Sequence, residues 1–393
     1  MDKGEAAPRA FEFHGHWREF AGIAFTNLLL TIVTLGVYLF WARARERRYL
    51  WSQTRFIDDR LEWTGTGLEL FLGYVIAILV IVVPLWALQM TASILITRGE
   101  MAGAFALGII LYLLAPYLIG LAVFRGLRYR LSRTFWHGIR GGTDQRGLGY
   151  ALANLWRMIV AYFLPGLLLL VGIYNLTPQA AMMGEGASWQ TGVVFLIAAF
   201  GLSLLVPWSQ TSTWNLRWGA MSFGPYPFGA TARYQPLIWR FLLYYLLPIV
   251  LLAGLFVFFV TLGATGSIDK AVSTIAVAAV VFYLVFFVLL GLVALFYYAA
   301  FYREAIRALS LGELEFEFDA TTFDWFRLMV VNTALVIFTL GIGAIFLSYR
   351  NWRFFIRHLN AYGNVDLLQM TQSETRRPGQ GEGLLDAFDM GAF

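Results

Sequence analysis

The side chains that could do chemistry in this 393-residue chain are arginines and amides rather than metal ligands or nucleophiles. There is no cysteine, which removes thiolate metal sites, disulfides and thiol nucleophiles together. The histidines are His14, His16, His137 and His358, and only the first two are near neighbours. An H-x-H pair without a carboxylate or cysteine at ligand spacing reads as solvated side chains, so no metal is expected. Acids avoid the middle of every apolar segment; Glu69 and Glu100 stand at segment ends. That counts against proton-coupled transport and intramembrane aspartyl chemistry, which need carboxylates within a span. Glu69 reads instead as a partner for the positive end of a helix dipole. No P-loop, dinucleotide fingerprint, serine-hydrolase elbow or HExxH helix occurs. No cofactor is expected, and an enzyme is the least supported class.

Two sets of residues remain. Arg45, Arg47, Arg48 and Arg128 lie in arginine-rich stretches that follow apolar segments, and Arg157 sits in the first turns of a later one. A guanidinium there can bind a lipid phosphate through paired N–H groups, or snorkel to the interface with no ligand. These five are the candidate headgroup contacts. The second set is Asn27, Thr34 and Gly36, with Asn332, Thr339 and Gly341. Thr34-Leu35-Gly36 and Thr339-Leu340-Gly341 each combine a β-branched residue with glycine, and both weaken a helix. An asparagine just before such a break can bond across helices or satisfy freed backbone groups. These six are candidate re-entrant breaks or the lining of a polar cavity.

Membrane segments must position these residues, because 59% of the chain is hydrophobic and only 13% charged. Residues 70–94, 102–124, 150–174, 190–208, 238–261 and 271–299 each reach the roughly 20 residues that a helix needs to cross a bilayer. Helices satisfy their own backbone in lipid, so the expected class is an all-α polytopic integral membrane protein. Pro84, Pro116, Pro165 and Pro248 fall inside these segments and predict kinks. The polar, acid-bearing stretch before residue 21 lacks the order of a cleaved signal peptide. Tryptophans such as Trp41, Trp63, Trp136 and Trp218 gather at one set of segment ends, as in an interfacial belt.

Two further apolar segments, 22–41 and 328–347, decide the topology. The stretches before residues 70 and 150 are rich in arginine and are expected to be cytoplasmic. If both terminal segments crossed, the basic residues of both tails would lie outside. If each dips in and returns, only Arg98 and Lys270 of the 29 basic residues face outward. The expectation is therefore six full crossings, two terminal re-entrant helical hairpins and both termini in the cytoplasm. Eight straight helices are the alternative. The net charge of +5 is absorbed by this topology, so no nucleic-acid partner is implied.

The two ends of the chain align without a gap at an offset of 305 residues (316 against 11). Phe11-Glu12-Phe13 matches Phe316-Glu317-Phe318, Asn27 matches Asn332, and Arg45 and Arg48 match Arg350 and Arg353. Arg48-Tyr49, Ser52 and Thr54 recur as Arg128-Tyr129, Ser132 and Thr134. The repeating unit reads as basic helix end, short polar turn or strand pair, then membrane helix. Residues 1–370 are expected to form one membrane domain of degenerate repeats, with ends 11–52 and 316–357 equivalent. Residues 371–393, rich in glycine and polar residues, are expected to be a disordered cytoplasmic tail.

The stretch 27–50, NLLLTIVTLGVYLFWARARERRYL, followed by Gly65-Thr66-Gly67-Leu68-Glu69-Leu70-Phe71, resembles the YjgN-like family of bacterial inner-membrane proteins. The resemblance extends over most of residues 11–370, and the later copies are degraded: Gly343 stands where Tyr38 does. It implies an inner-membrane location and the fold, and no mechanism, since that family is of unknown function. Internal repeats with paired re-entrant segments favour a transporter or channel-like protein for a small solute of unknown identity. The alternative is a lipid-interacting scaffold without transport activity, with membrane lipids as partners. Oligomeric state cannot be read from the sequence.

Overall fold

The computed structural model describes residues 9–174, 189–244, 246–247, 250–251, 254, 268–363 and 371–375. Strand β1 (Phe11–Phe13) leads into α1 (Trp17–Val33), and the chain then turns back into α2 (Leu39–Ser52). Short strands β2 (Thr54–Phe56), β3 (Asp59–Arg60) and β4 (Glu62–Trp63) precede α3 (Gly67–Ala77) and α4 (Val83–Thr97). Helix α5 (Met101–Arg133) returns to β5 (Thr134–Trp136) and β6 (Ile139–Gly142), followed by α6 (Leu148–Met158) and α7 (Leu164–Tyr174). Helix α8 (Trp189–Trp218) runs into β7 (Ser222–Phe223) and β8 (Tyr226–Ala230), and α9 (Ile268–Arg307) into β9 (Leu309–Leu311) and β10 (Leu314–Phe318). A second hairpin, α10 (Thr322–Phe338) and α11 (Leu347–His358), ends in β11 (Leu359–Tyr362).

Five helical stretches among the described residues are long and apolar enough to cross a membrane: Gly67–Thr97, Met101–Arg133, Leu148–Gly172, Gln190–Trp218 and Val280–Arg307. They coincide with five of the six expected crossings. Half of the sixth, 238–261, lies outside the described residues. Two prolines leave a local signature, because a proline ring clashes with the carbonyl four residues back and has no N–H to give it. The backbone widens into one π turn at Ile78–Val82 before Pro84 and another at Ile159–Phe163 before Pro165.

The all-α expectation needs correction. Strands β4 to β11 form an eight-stranded antiparallel sheet in chain order, and β1 to β3 form a three-stranded one. Leu61 joins the two, since it lies between β3 and β4 and its N–H donates to the Thr54 carbonyl at 2.9 Å. At the other side Arg9 donates from Nη1 to the Arg357 carbonyl at 2.9 Å, and the Phe11 and Phe316 rings are 6.5 Å apart. The strands thus follow one another round a ring whose first and last members lie side by side. Apolar side chains of successive strands meet in one core, with Phe56, Trp136, Phe223, Phe228, Leu311 and Leu314 all buried. The repeating unit read from sequence allows a strand pair at each junction but not the union of these pairs into one sheet, because the strands are only two to five residues long. The hairpins join one another only across the helices between them, as β4 meets β5 after α3, α4 and α5.

The ring gathers the helix ends. Helices α2, α5, α8 and α9 each run into a strand hairpin, and α3, α6 and α10 each leave one. At two of these junctions the same bonds close the helix: Ser52 Oγ donates to Tyr49 O and Thr54 Oγ1 to Leu50 O, while Ser132 Oγ donates to Tyr129 O and Thr134 Oγ1 to Arg130 O. The segment Thr371–Thr375, assigned above to a disordered tail, is instead docked on β6. Gln372 donates from Nε2 to the Gly138 carbonyl at 2.8 Å and accepts the Arg140 N–H, and Arg140 donates to the Thr375 carbonyl. The remainder of 376–393 lies outside the described residues.

Candidate functional site

Each terminal hairpin turns at its Thr-Leu-Gly. Thr34 Oγ1 donates to the Leu30 carbonyl at 2.7 Å and accepts the Tyr38 N–H at 2.9 Å, so one hydroxyl closes one helix and starts the next. Thr339 does the same with Leu335 and Gly343, both at 2.6 Å. Gly36 N–H reaches Thr31 O and Leu35 N–H reaches Ile32 O, the paired bonds of a Schellman stop, and Gly341 and Leu340 repeat them. That stop requires positive φ. Gly36 (+92°) and Gly341 (+93°) adopt it freely, whereas Leu35 (48°) and Leu340 (50°) do so against the usual penalty for a side chain. Both leucines are 94% exposed at the hairpin tips.

The asparagines tie the arms of each hairpin, one in each. Asn27 is buried and donates from Nδ2 to the Ala42 carbonyl at 3.2 Å and to Glu46 Oε1 at 3.4 Å. Asn332 donates to Asn351 Oδ1 at 2.9 Å and accepts from Arg350 Nε at 2.6 Å. The hairpins stand side by side, with Trp51 stacked on Trp352 at 4.1 Å and Ser348 Oγ donating to Glu46 Oε2 at 2.9 Å.

The arginines chosen from sequence do not share one place. Arg45 and Arg48 are exposed on α2, and Arg47 lies over the Trp63 ring at 5.3 Å. Arg128 is only 5% exposed and directs Nη1 toward the Gln145 carbonyl at 3.4 Å. Arg157 bridges α6 and α8, donating from Nε to Ser212 Oγ at 2.7 Å. Glu69 closes a capping box with Thr66 and also accepts two bonds from Arg133 (2.6 and 3.1 Å) and one from the Tyr129 hydroxyl (2.9 Å). It is therefore a clamp between α3 and α5 rather than a dipole partner alone.

Sequence reasoning passed over a further cluster of arginines. A cleft of about 980 Å³ opens between α10 and α11, with Trp17 of α1 at its side. Arg9, Arg327, Arg350, Arg353 and Arg357 line it, together with Asp319 and Asp324. Asp324 is held by Thr321, whose hydroxyl and N–H both donate to Oδ2 (2.5 and 2.9 Å), and these bonds keep its carboxyl below the usual range. Leu328, Val331, Leu335 and Phe346 continue the walls toward the tip. One signal was available: 350, 353 and 357 recur at helical spacing on one face, and Arg327 lies across the break from them. Arg350 and Arg353 had served only to align the repeats and assign sidedness.

No solved structure matches the chain. Among curated proteins it is similar to the inner membrane protein YjgN of Escherichia coli O157:H7, 26% identical over 58% of this chain and 54% of that one. The E. coli K12 protein of the same name is 28% identical over 44% of this chain and 38% of its own length. That of Salmonella typhimurium LT2 is 26% identical over 49% and 45%. The matched stretches thus span about half or less of these relatives. A family described as bacterial protein of unknown function (DUF898) matches residues 8–387, nearly the whole of the ring and its helices, and the chain belongs to that family.

Proposed function

We propose that the protein is a lipid-interacting scaffold of the bacterial inner membrane, with the strand ring on the cytoplasmic side and both terminal hairpins dipping into the bilayer from that side. The observation that carries this reading is the amphiphilic division of the terminal hairpins. Their tips expose Val33, Leu35, Phe338 and Leu340, while their bases carry the arginines and join the ring. Apolar tips belong in hydrocarbon and guanidinium groups at the phosphate level, where anionic inner-leaflet lipids attract them. The inner-membrane name of the relatives supports the location. Sheet-tethered helix ends suit a rigid platform better than a rocking carrier. Native mass spectrometry of the chain released from membranes in mild detergent should find anionic phospholipid retained. Bare protein under conditions that preserve its fold would overturn the reading.

Transport of a small solute is the second reading, and one observation favours it. Polar side chains meet between membrane helices, with Tyr297 Oη donating to Gln210 Oε1 at 2.6 Å and Arg157 bonded to Ser212. Solute flux in reconstituted vesicles that exceeds empty vesicles and falls on Gln210→Leu would support it.

A further inference from the structure

The two hairpins share their Thr-Leu-Gly turns but differ in charge. In the N-terminal hairpin Glu46 stands among the arginines of α2 and accepts bonds from Asn27 and Ser348. At the matching place in the C-terminal hairpin stands Asn351, which is neutral and bonds Asn332. The cleft between α10 and α11 therefore holds five arginines against two aspartates. Asp324 is already engaged by Thr321. Among the described residues neither Arg327 nor Arg353 makes a close ion pair with a carboxylate, although the Arg327 charge helps to hold the Asp324 carboxyl down.

The charge is laid out as a strip rather than a point. At about 1.5 Å rise per residue, Arg350 to Arg357 extends roughly 10 Å down one face of α11. Asn332 fixes the upper end by accepting the Arg350 Nε–H at 2.6 Å, and the Arg357 carbonyl fixes the lower end through Arg9. On α10, Leu328, Val331 and Leu335 follow one another at helical spacing toward the exposed apolar tip. A ligand complementary to this surface carries separated negative charges at one end and hydrocarbon at the other. Guanidinium groups bind phosphate oxygens through paired N–H donors, and basic pockets between membrane segments suit lipid phosphates.

We infer that this cleft seats the headgroup of an acidic phospholipid, its acyl chains lying along Leu328, Val331 and Leu335, with a two-phosphate headgroup favoured over one phosphate. The inference rests on the lipid-interacting reading above and assigns it to one place.

The test uses the full chain in mild non-ionic detergent, with thermal-shift titrations of cardiolipin, phosphatidylglycerol and inorganic phosphate. Cardiolipin should bind more tightly than phosphatidylglycerol, and inorganic phosphate should bind far more weakly than either. R350Q/R353Q should weaken cardiolipin about 30-fold, from the attraction that each arginine near an anionic surface contributes. R350K/R353K, which keeps the charge, should lose only a few-fold, and R45Q/R48Q, which removes two exposed arginines of the other hairpin outside the cleft, should also lose no more than a few-fold. Leu335→Trp fills the apolar wall without touching an arginine and should weaken lipid binding while leaving phosphate unchanged. Wild-type affinity in R350Q/R353Q, or an equal loss in R45Q/R48Q, would overturn the assignment. So would inorganic phosphate competing as well as lipid, which would mark a site for soluble anions. Anionic lipid retained by the wild type but indifferent to the cleft variants defeats the cleft alone. A wild type that retains none defeats the lipid reading itself.

Discussion

Leu340→Asp separates a hairpin tip in lipid from one in water by the sign of its effect. Leu340 has φ of 50° and is 94% exposed. A leucine in the left-handed region costs about 1–2 kcal/mol, and aspartate is one of the few side chains that tolerates it. In water the substitution should therefore stabilise the hairpin by up to about 1 kcal/mol. In lipid the account reverses. Helix α10 has 17 residues, so at about 1.5 Å each the tip lies roughly 25 Å from the base, past the centre of a core about 30 Å thick. Placing aspartate near the middle of a membrane costs about 2.5–3.5 kcal/mol, and the favourable leucine is lost as well. Even with half of that cost relieved by water at the far interface and the backbone gain set against it, the net effect is a loss of about 0.5–2.5 kcal/mol. The assay is the thermal unfolding midpoint of wild type and Leu340→Asp in lipid nanodiscs, with Leu35→Asp as the matched variant. A lower midpoint in both is expected. A higher midpoint in either would refute the placement of that tip in hydrocarbon.

Other outcomes follow from single contacts. Glu69→Gln should destabilise the protein by about 2–3 kcal/mol in a chemical or thermal melt, because it leaves the largely buried Arg133 without its counter-charge between α3 and α5. Gly67→Ala should be destabilising by a similar amount, about 1–3 kcal/mol, since a Cβ there would lie 2.6 Å from the Trp41 Cα, a backbone atom that cannot rotate away. The Asp324 carboxyl is held below its ordinary range by Thr321. Its contribution to stability should be complete above the ordinary carboxylate pKa and lost as pH falls through the depressed folded value. Asp324→Asn should flatten that part of the stability profile between neutral and acid pH.

How far the sequence reveals this molecule depends on the range of each interaction. The helices are legible because an apolar run of some 20 residues is a local signal. The stops at Thr34 and Thr339 are legible for the same reason: the threonine hydroxyl, the left-handed leucine and the glycine act within five residues of one another. The sheet is not, because β4 meets β5 only after α3, α4 and α5 have intervened, and two-residue strands carry no period. The cleft fails similarly. Arg9 precedes β1, while Arg327 and Arg353 stand on α10 and α11, and only the fold brings the three to one surface. Arg128 shows the converse, since an arginine in a basic stretch can be turned inward when its helix end is covered by the chain that follows.

The cytoplasmic placement of the ring, on which the inner-leaflet lipid reading depends, is tested most directly by single cysteines in this cysteine-free chain. Glu100→Cys marks the turn between α4 and α5, far from the ring, and Glu313→Cys marks the exposed turn between β9 and β10. With a membrane-impermeant thiol reagent on intact spheroplasts, Glu100→Cys should label and Glu313→Cys should label only after the membrane is opened. Labelling of Glu313→Cys in intact spheroplasts would put the ring outside and contradict the account.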